Sequence, residues 1–287
     1  MPFCINGLIL REMPAGENDK YLNVLTAERG KLFVRANGVR RYRNHYMHAC
    51  QPMCYDEFIL EEKNGKFWLK EAAVIESFYK VREDLEALAV AQYALEVTND
   101  VCVEESEEAA MLKLILNTLY LLTKRQYPVA HIKAVFELRC MVEEGFMPNL
   151  ERCSVCGCNT ADSEFWLDLI GGVMQCRHCM EKMQKEAPFQ TDADGYALDR
   201  PAAVFRHLPW AVLLAMRYIC YADPKRAFAF SLNEQDAAEL YGVCENYLIQ
   251  QLERTFPTLA FYHALPNLPK PATVLPENPP APFGISE

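Results

Sequence analysis

The sequence lacks a long uninterrupted run of apolar residues, and this excludes a membrane-spanning helix. The longest strictly apolar run extends only from Trp210 to Met216, whereas a helix needs about 20 such residues to cross a bilayer. The start of the chain also lacks a basic patch followed by an apolar stretch and a small-residue cleavage site, so no secretion signal is predicted. We therefore expect a cytoplasmic protein, and in that reducing compartment its twelve cysteines should not form disulfides.

Motifs for catalysis and nucleotide binding are missing as well. The sequence contains no G-x-x-x-x-G-K-[ST] phosphate loop, no G-x-G-x-x-G, no G-x-S-x-G and no H-E-x-x-H. Most carboxylates lie beside Lys or Arg on predicted helix faces, where a solvated surface is their usual role. We therefore predict that the protein is not an enzyme and has no small-molecule substrate.

Acidic residues are absent from one segment of an otherwise acidic chain. Residues 29–49, the basic segment, carry six positive charges and no Asp or Glu, so the remaining residues carry a net charge of -16 within the overall -10. A basic segment on an acidic protein is typical of a protein that contacts a polyanion with one surface only. A solvated loop, or an anchor for acidic patches of the same chain, would give the same composition.

The first 78 residues are predicted to form a small β-barrel. Five runs of strand length, separated mostly by Gly, Pro or Asn, cover residues 3–12, 20–28, 30–38, 53–62 and 66–76. Five short strands with one long loop favour a five-stranded OB-type barrel, a fold that often binds oligonucleotides. An SH3-like barrel would have a similar pattern.

Within the basic segment, alternation along the third strand places Lys31, Phe33 and Arg35 on one face. The following loop adds further cations with tyrosines between them. Cations follow phosphates and aromatic rings stack on unpaired bases, which makes six residues candidates for DNA contact: Lys31, Arg35, Arg40, Arg41, Tyr42 and Arg43.

Residues 79–260 are predicted to form an α-helical domain, because the apolar period changes from two to about 3.6 after Ser77. The expected helix ends are an N-cap at Ser106, starts at Pro128 and Pro209, a stop at Gly145 and a capping box at Ser231–Glu234. Residues 261–287 are rich in proline and are predicted to be an extended tail.

Four cysteines in two Cys-x-x-Cys pairs predict a metal site within an insertion at residues 149–182. The ligands would be Cys153, Cys156, Cys176 and Cys179, and the nineteen residues between the pairs match the spacing of structural zinc sites. A hairpin that turns at Gly171–Gly172 would connect the pairs, which is the arrangement of a zinc ribbon. Buried free thiols or a redox pair are the alternatives, and we expect the neighbouring Cys158 and His178 not to be ligands.

Such a zinc ion would be structural, because four thiolates leave no open coordination position and reduce the Lewis acidity of the ion. A nucleobase deaminase would need a His-x-Glu motif before its Cys-x-x-Cys pair. None of the six histidines has a glutamate two residues later.

Two stretches of the sequence resemble the RecO family of bacterial recombination mediators. "GENDKYLNVLTAERGKLFVRANGVRRYRN…QP" is similar to the N-terminal signature of the family, and "LERCSVCG…GGVMQCRHC" to the zinc motif of many of its members. Gly38, Arg40 and Arg41 match the basic turn of the family. The sequence departs from the family at Asn44, where many members have Ser, and in its proline-rich tail.

The resemblance implies an OB-fold that binds single- and double-stranded DNA and anneals complementary strands without ATP, in the nucleoid of a bacterium. It also implies two protein partners, RecR and the acidic C-terminal tail of single-stranded-DNA-binding protein, and a role in loading RecA on DNA coated by that protein. We expect an apolar pocket with nearby cations on the helical domain for the acidic tail. A zinc-ribbon RNA-binding or transcription factor, and a thiol-redox enzyme, are the alternative functions.

Overall fold

The N-terminal part of the computed structural model is a closed five-stranded barrel. The structure describes residues 2–42, 44–186 and 204–267. The barrel strands are β1 (Pro2–Ala15), β2 (Asp19–Thr26), β3 (Gly30–Ala36), β4 (Tyr55–Lys63) and β5 (Lys66–Glu76). They are joined in the order β1–β2–β3–β5–β4, and β4 returns to β1. Every neighbouring pair is antiparallel except β3 and β5, whose parallel pairing closes the barrel. The predicted OB-type barrel followed by helices is therefore confirmed.

Strict alternation along β3 divides its side chains between the barrel core and the outside. Leu32 and Val34 are buried, whereas the alternate residues Phe33 and Arg35 are exposed. Adjacent side chains of a strand point to opposite faces, so the outward face predicted for the basic segment is the observed one. The core that fills the barrel contains Ile5, Ile9, Leu22, Val24, Leu32, Val34, Phe58 and Leu60.

The helical domain follows the barrel and is organised around a central helix. Its helices are α1 (Leu85–Val101), α2 (Ala109–Lys124), α3 (Val129–Glu143), α4 (Arg177–Glu186), α5 (Trp210–Tyr221), α6 (Glu234–Leu252) and α7 (Pro257–Ala264). α3 packs against α1, α2, α5 and α6, so even its charged residues Lys133, Glu137 and Arg139 are buried. Lys133 pairs with Glu137 and Glu245 at 2.7 and 2.6 Å, as buried charges require. No described helix is both long and apolar enough to cross a membrane.

Two predicted helix caps are wrong in position. α2 begins at Ala109, and Ser106 instead donates its hydroxyl hydrogen bond to the Glu108 carboxylate at 2.6 Å. α6 is capped by Asn233, whose side chain accepts from the Asp236 amide at 2.9 Å, so Ser231–Glu234 is not a capping box. Ser and Asn are both good N-caps, and where two lie close together the sequence does not decide which one the chain uses.

The proline and glycine signals at other helix ends lie within one residue of their predicted positions. Pro128 and Pro209 are the residues directly before α3 and α5. Gly145 follows the end of α3 with φ of 83°, a conformation that glycine adopts without steric cost.

The cysteine-containing insertion forms a small antiparallel sheet with three strands. They are β6 (Phe165–Asp168), β7 (Val173–Cys176) and β8 (Phe205–Leu208), in the order β7–β6–β8. The predicted hairpin is β6–β7, with Gly171 and Gly172 in its turn. Because β8 lies beyond residue 182, the sheet extends past the insertion bounds of 149–182 that the sequence predicts.

The last described helix, α7, crosses the predicted boundary between helical domain and tail at residue 260. Leu259 is buried in the main core, and Phe256 before it packs edge-on against Tyr93 of α1, with ring centroids 5.7 Å apart. These contacts hold α7 on α1, so the helical domain continues at least to Ala264. Residues 268–287 of the predicted tail lie outside the described residues.

One carboxylate in the barrel is buried without a partner. Asp56 on β4 has no exposed surface, and neither of its oxygens has a hydrogen-bond partner among the described residues. Burial penalises the charged form and raises the pKa of Asp56 to about 7. Because the folded state binds the proton more tightly than the unfolded state, the barrel loses stability as pH rises from about 4 to 7.

We expect Asp56→Asn to stabilise the protein at pH 8 by about 2 kcal/mol and to have little effect at pH 4, because the amide removes a charge that burial penalises. Chemical denaturation at the two pH values measures this difference. Asp162→Asn, which changes an exposed carboxylate, is the control. Equal stability changes for Asp56→Asn at both pH values would contradict the assignment.

Candidate nucleic-acid interface and metal centre

A groove of about 410 Å³ runs across the outer face of the barrel. It is bounded by β2 and β3, by the β4–β5 hairpin and by residues 104 and 105 of the helical domain. The hairpin turns at Asn64 and Gly65, both of which have positive φ, as a two-residue Asn-Gly turn requires. This turn places Lys66, Phe67 and Trp68 in the wall of the groove opposite β2.

Two stacked aromatic rings form part of the groove surface. The Tyr21 and Phe33 rings lie 4.7 Å apart between centroids and are inclined by only 19°. They meet because Asn23 pairs with Phe33 and Tyr21 with Arg35, which makes Tyr21 and Phe33 diagonal neighbours on one face. Phe33 remains 44% exposed, so a flat ring surface is available to a ligand.

Two arginines line the groove together with these rings. The Arg35 guanidinium is 5.9 Å from the centre of the Tyr21 ring and bonds Asp19 at 2.9 Å. Arg29 lies over the rings of Phe3 and Phe67 and pairs with Glu62 at 3.1 Å. Lys31 and Lys66 also line the groove, and so do Glu62, Glu104 and Glu105. The groove therefore offers cations and stacking surfaces, with carboxylates that partly neutralise them.

Lys31 connects the groove to the helical domain. Its ammonium group donates to the Asn99 carbonyl at 2.6 Å, near the end of α1, and its backbone N–H donates to the Val103 carbonyl at 3.0 Å. A cation at the C-terminus of a helix complements the free carbonyls there. Lys31 therefore has a structural contact in addition to its place in the groove wall.

Asp19 organises the start of the basic loop. Its carboxylate accepts from the Gly38 amide at 2.7 Å and from Arg35. These two hydrogen bonds, the one from Gly38 first, lower the pKa of Asp19. Gly38 has φ of 66°, and its carbonyl accepts from the Asn44 side chain at 3.1 Å. An asparagine at position 44 thus closes the turn that presents the loop arginines.

The loop candidates lie beside the groove rather than in it. Arg40, Arg41 and Tyr42 are exposed, and Tyr42 retains 90% of its surface. Arg40 bonds the Gly16 carbonyl at 3.3 Å, which keeps its side chain close to the β1–β2 turn. The predicted contact Arg43 lies outside the described residues. The structure thus brings Lys31 and Arg35 into the groove wall and leaves three loop candidates on an adjoining surface.

The sequence prediction of the DNA contacts did not include Tyr21, Arg29, Lys66 or Trp68, all of which line the groove. Tyr21 could have been found from the alternation of β2, since it lies on the same outward face as Asn23. Lys66 and Trp68 could not, because their proximity to β3 depends on the parallel β3–β5 pairing. In that pairing Trp68 is opposite Arg35.

The four predicted cysteine ligands form a single cluster. The sulfurs of Cys153, Cys156, Cys176 and Cys179 all lie within 4.8 Å of one another, and those of Cys156 and Cys176 are 3.6 Å apart. A tetrahedral ion with metal–sulfur bonds of about 2.3 Å needs sulfurs roughly 3.8 Å apart. The cluster therefore fits a metal ion.

Backbone hydrogen bonds favour the thiolate form of Cys153, which is the form that binds a metal ion. Burial acts to raise the pKa of the Cys153 thiol, but backbone N–H groups of Cys156 and Cys176 donate to its sulfur and lower the pKa to about 6. Gly157, with φ of 74°, donates to the Cys153 carbonyl at 2.9 Å and closes the first turn. Four thiolates this close repel one another, and a divalent cation removes that repulsion.

Two neighbouring residues do not join this cluster. Among the residues that the structure describes, the group of mutually close ligand atoms includes neither Cys158 nor His178. Cys158 contributes its backbone carbonyl, which accepts from the Cys153 amide at 2.9 Å, while His178 is exposed at the start of α4. The Cys158 thiol nevertheless contacts the sulfurs of Cys156 and Cys176, so the expectation that neither residue is a ligand stays a prediction.

A second cavity, of about 620 Å³, lies on the helical domain between α1, α3, α6 and α7. Its walls are largely apolar, as expected of a pocket for a peptide tail. The expected excess of cations is not found among its described lining residues. Lys133 is paired with Glu137 and Glu245, His263 contacts Glu245 at 2.9 Å, and Glu86 adds a further carboxylate.

Comparison with known proteins gives consistent matches along most of the chain. Family models described as "Recombination protein O N terminal" and "Recombination protein O C terminal" match residues 1–78 and 82–193. A DNA repair protein RecO of Acetivibrio thermocellus is 30% identical over 260 residues, which cover 91% of this chain and 96% of that protein. That of Symbiobacterium thermophilum is 27% identical over 264 residues, with the same coverage. That of Desulforudis audaxviator is 33% identical over 177 residues, 61% of this chain and 69% of that protein.

We expect Cys156→Ser to reduce bound metal from about one ion per chain to well below half. It should also lower the unfolding midpoint by at least about 4 °C, because metal binding is coupled to folding of the insertion. Elemental analysis and thermal unfolding measure the two effects. Cys158→Ser, two residues away, is the matched control and should keep its metal. Full metal content in Cys156→Ser would contradict the ligand assignment.

Proposed function

The chain belongs to the RecO family, whose members act in DNA repair and recombination, and we propose that it binds single- and double-stranded DNA and anneals complementary strands without ATP. The observation that carries the proposal is the groove, whose wall contains the stacked rings of Tyr21 and Phe33 together with Arg29 and Arg35. Aromatic rings bind unpaired bases and cations bind phosphates, independently of sequence.

Annealing requires two polyanions to approach one another, and their mutual repulsion is the main obstacle. In the proposed mechanism the groove holds one strand with its bases on the Tyr21–Phe33 rings. The exposed loop arginines Arg40 and Arg41 neutralise phosphates of the second strand. Neutralisation releases condensed counterions, and that release supplies the free energy without a nucleotide. This is consistent with a sequence that contains no phosphate loop.

We assign the metal of the cysteine cluster as one structural zinc ion. Zinc accepts four thiolates in a tetrahedron, and a Cys₄ site leaves no position for a substrate. The ion would fasten the β6–β7 hairpin to the start of α4. Within the proposal the protein is therefore not an enzyme. Its zinc ion makes no contact with DNA.

Membership of the family also supports a role as a recombination mediator. In this role the protein would act with RecR and with the acidic tail of single-stranded-DNA-binding protein, and would help RecA to load on DNA coated by the latter. The second cavity supports the tail partner only by its apolar walls, because Lys133 is already paired with Glu137 and Glu245.

The arginines of the basic loop provide the first test. Changing Arg40, Arg41 and Arg43 to Ala should flatten the slope of log affinity against log salt by about 2 for single strands, if each arginine releases one counterion. Annealing should decrease more than binding, because it needs contacts to both strands. Fluorescence anisotropy at several salt concentrations and an annealing assay measure the two quantities.

The control changes three exposed cations of the helical domain, Lys113, Lys225 and Arg226, to Ala. This variant has the same net charge as the loop variant, so a general effect of charge would appear in both. If the loop variant anneals at the wild-type rate at moderate salt, the loop is only a solvated surface.

The stacked rings provide the second test. Phe33→Ala removes a stacking surface worth about 1–3 kcal/mol per base, so we expect single-strand affinity to fall about tenfold and duplex affinity to change little. Tyr120→Ala removes a similarly exposed ring on α2 and should change neither affinity. Equal losses for single strands and duplex in Phe33→Ala would mean that the groove does not bind bases.

A further inference from the structure

The cavity between α1, α3, α6 and α7 has the properties of a binding site that the DNA groove does not use. Its volume of about 620 Å³ lies within the usual range for ligand pockets. The rings of Tyr241 and Tyr262 line it together with the apolar side chains of Leu85, Leu265 and Pro266. Grooves lined by aromatic rings are the usual docking surfaces for proline-rich segments.

Several polar groups in this cavity have hydrogen-bonding capacity left. An ammonium group has three N–H donors, and only two acceptors of Lys133, on Glu137 and Glu245, are found among the described residues. The hydroxyls of Tyr241 and Tyr262 have no hydrogen-bond partner in the described part of the chain. Polar groups at a mostly apolar wall fix the orientation of an occupant.

The described chain leads directly to this cavity. α7 is fastened to α1 by the hydroxyl hydrogen bond of Thr258 to the Glu96 carboxylate. After α7 the chain makes a short helical turn, Leu265–Asn267, in which Leu265 and Pro266 are themselves part of the cavity wall. Asn267, the last residue that the structure describes at this end, therefore directly follows two residues of the cavity wall.

The sequence that follows Asn267 is rich in proline, which suits a cavity lined by aromatic rings. Pro266 and Pro269 are separated by two residues, and Leu268, Lys270 and Pro271 complete the stretch P-N-L-P-K-P. Proline restricts the unbound chain, so a proline-rich segment loses little entropy on docking.

The charges are also complementary. Lys270 is the only cation between residues 268 and 287, and it follows Pro266 by four residues. Glu245 of the cavity wall is already paired with Lys133 and His263, whereas no ion pair of Glu86 is found among the described residues. An acidic peptide would be repelled by the Glu86 carboxylate, whereas Lys270 would be attracted to it.

We propose that residues 268–271 of this chain, Leu-Pro-Lys-Pro, occupy the cavity between α1, α3, α6 and α7. Leu268 and the prolines bind against Tyr241 and Tyr262, and Lys270 pairs with Glu86. The segment then acts as an intramolecular competitor, and a peptide of any partner must displace it to enter. This inference is independent of DNA binding by the barrel.

The test uses the intact chain and a full-length segment variant in which Leu268, Pro269 and Pro271 are changed to Ser. The probe is a fluorescent peptide with the sequence of residues 266–276, PNLPKPATVLP. A tethered segment has an effective concentration of about millimolar. We therefore expect the probe to bind the segment variant at least tenfold more tightly than the wild-type chain.

A charge exchange identifies the contact of Lys270. A probe with Lys270→Glu should bind the segment variant more weakly, and adding Glu86→Lys to that variant should restore its binding. Glu107→Lys, at an exposed acid outside the cavity, is the control and should restore nothing. If Glu107→Lys restores binding of the Lys270→Glu probe to the same extent, the effect comes from the net charge of the protein. That result would overturn the assigned contact between Lys270 and Glu86.

Three further results would overturn the proposal: no probe binding to the segment variant, equal probe binding to both proteins, or equal binding of a scrambled probe. An acidic peptide with an aromatic end that binds the wild-type chain as tightly as the segment variant would also overturn it, because the cavity would then be open in the intact chain. Far-ultraviolet circular dichroism of both proteins shows that both are folded. Single-strand DNA affinity, measured on both, separates a failure of this proposal from a failure of the proposed DNA-binding function.

Discussion

The contact between the start of β3 and the end of α1 determines how the barrel and the helical domain are joined. Gly30 has φ of 61°, and a Cβ atom there would lie 2.4 Å from the Val103 carbonyl oxygen, so no other residue fits without movement. This close approach lets Lys31 donate to both Val103 and Asn99. Because β3 also carries Phe33 and Arg35, the groove is held at a fixed position beside the helical domain, with Glu104 and Glu105 at one end.

The arginines of the groove are partly neutralised by neighbouring carboxylates. Arg29 is paired with Glu62 and Arg35 with Asp19, so a phosphate that binds there replaces a carboxylate partner. Ion pairs between exposed groups contribute little to stability, which means that such an exchange costs little free energy. In the proposed function this favours reversible binding with a strong dependence on salt, and a protein that brings two strands together must also release them.

The sequence predicted the strands, the cluster of four cysteines and the outward face of β3, because these depend on local period and spacing. It did not predict the groove wall at Lys66 and Trp68, since those residues reach β3 only through a parallel pairing between distant strands. The burial of Asp56 was also missed, because nothing in the local sequence distinguishes a buried aspartate in a strand from an exposed one. The cap at Asn233 was missed because neighbouring residues compete for one role, and tertiary packing decides between them.

The position of the cysteine cluster favours a role in stabilising the fold rather than in binding DNA. Side chains of α5 and α6 bind the segments next to its sheet: Arg217 donates to the Leu150 carbonyl at 2.7 Å, and Gln251 donates to the Leu169 carbonyl, directly after β6, at 2.6 Å. Through these contacts the sheet reaches α6, α6 packs on α3, α3 on α1, and α1 on β1 of the barrel. A structural change at the cysteines can therefore affect the groove only through several packed interfaces. In the described part of the segment between α3 and α5, the sheet has three strands of four residues each, and a bound ion would stabilise so small a sheet.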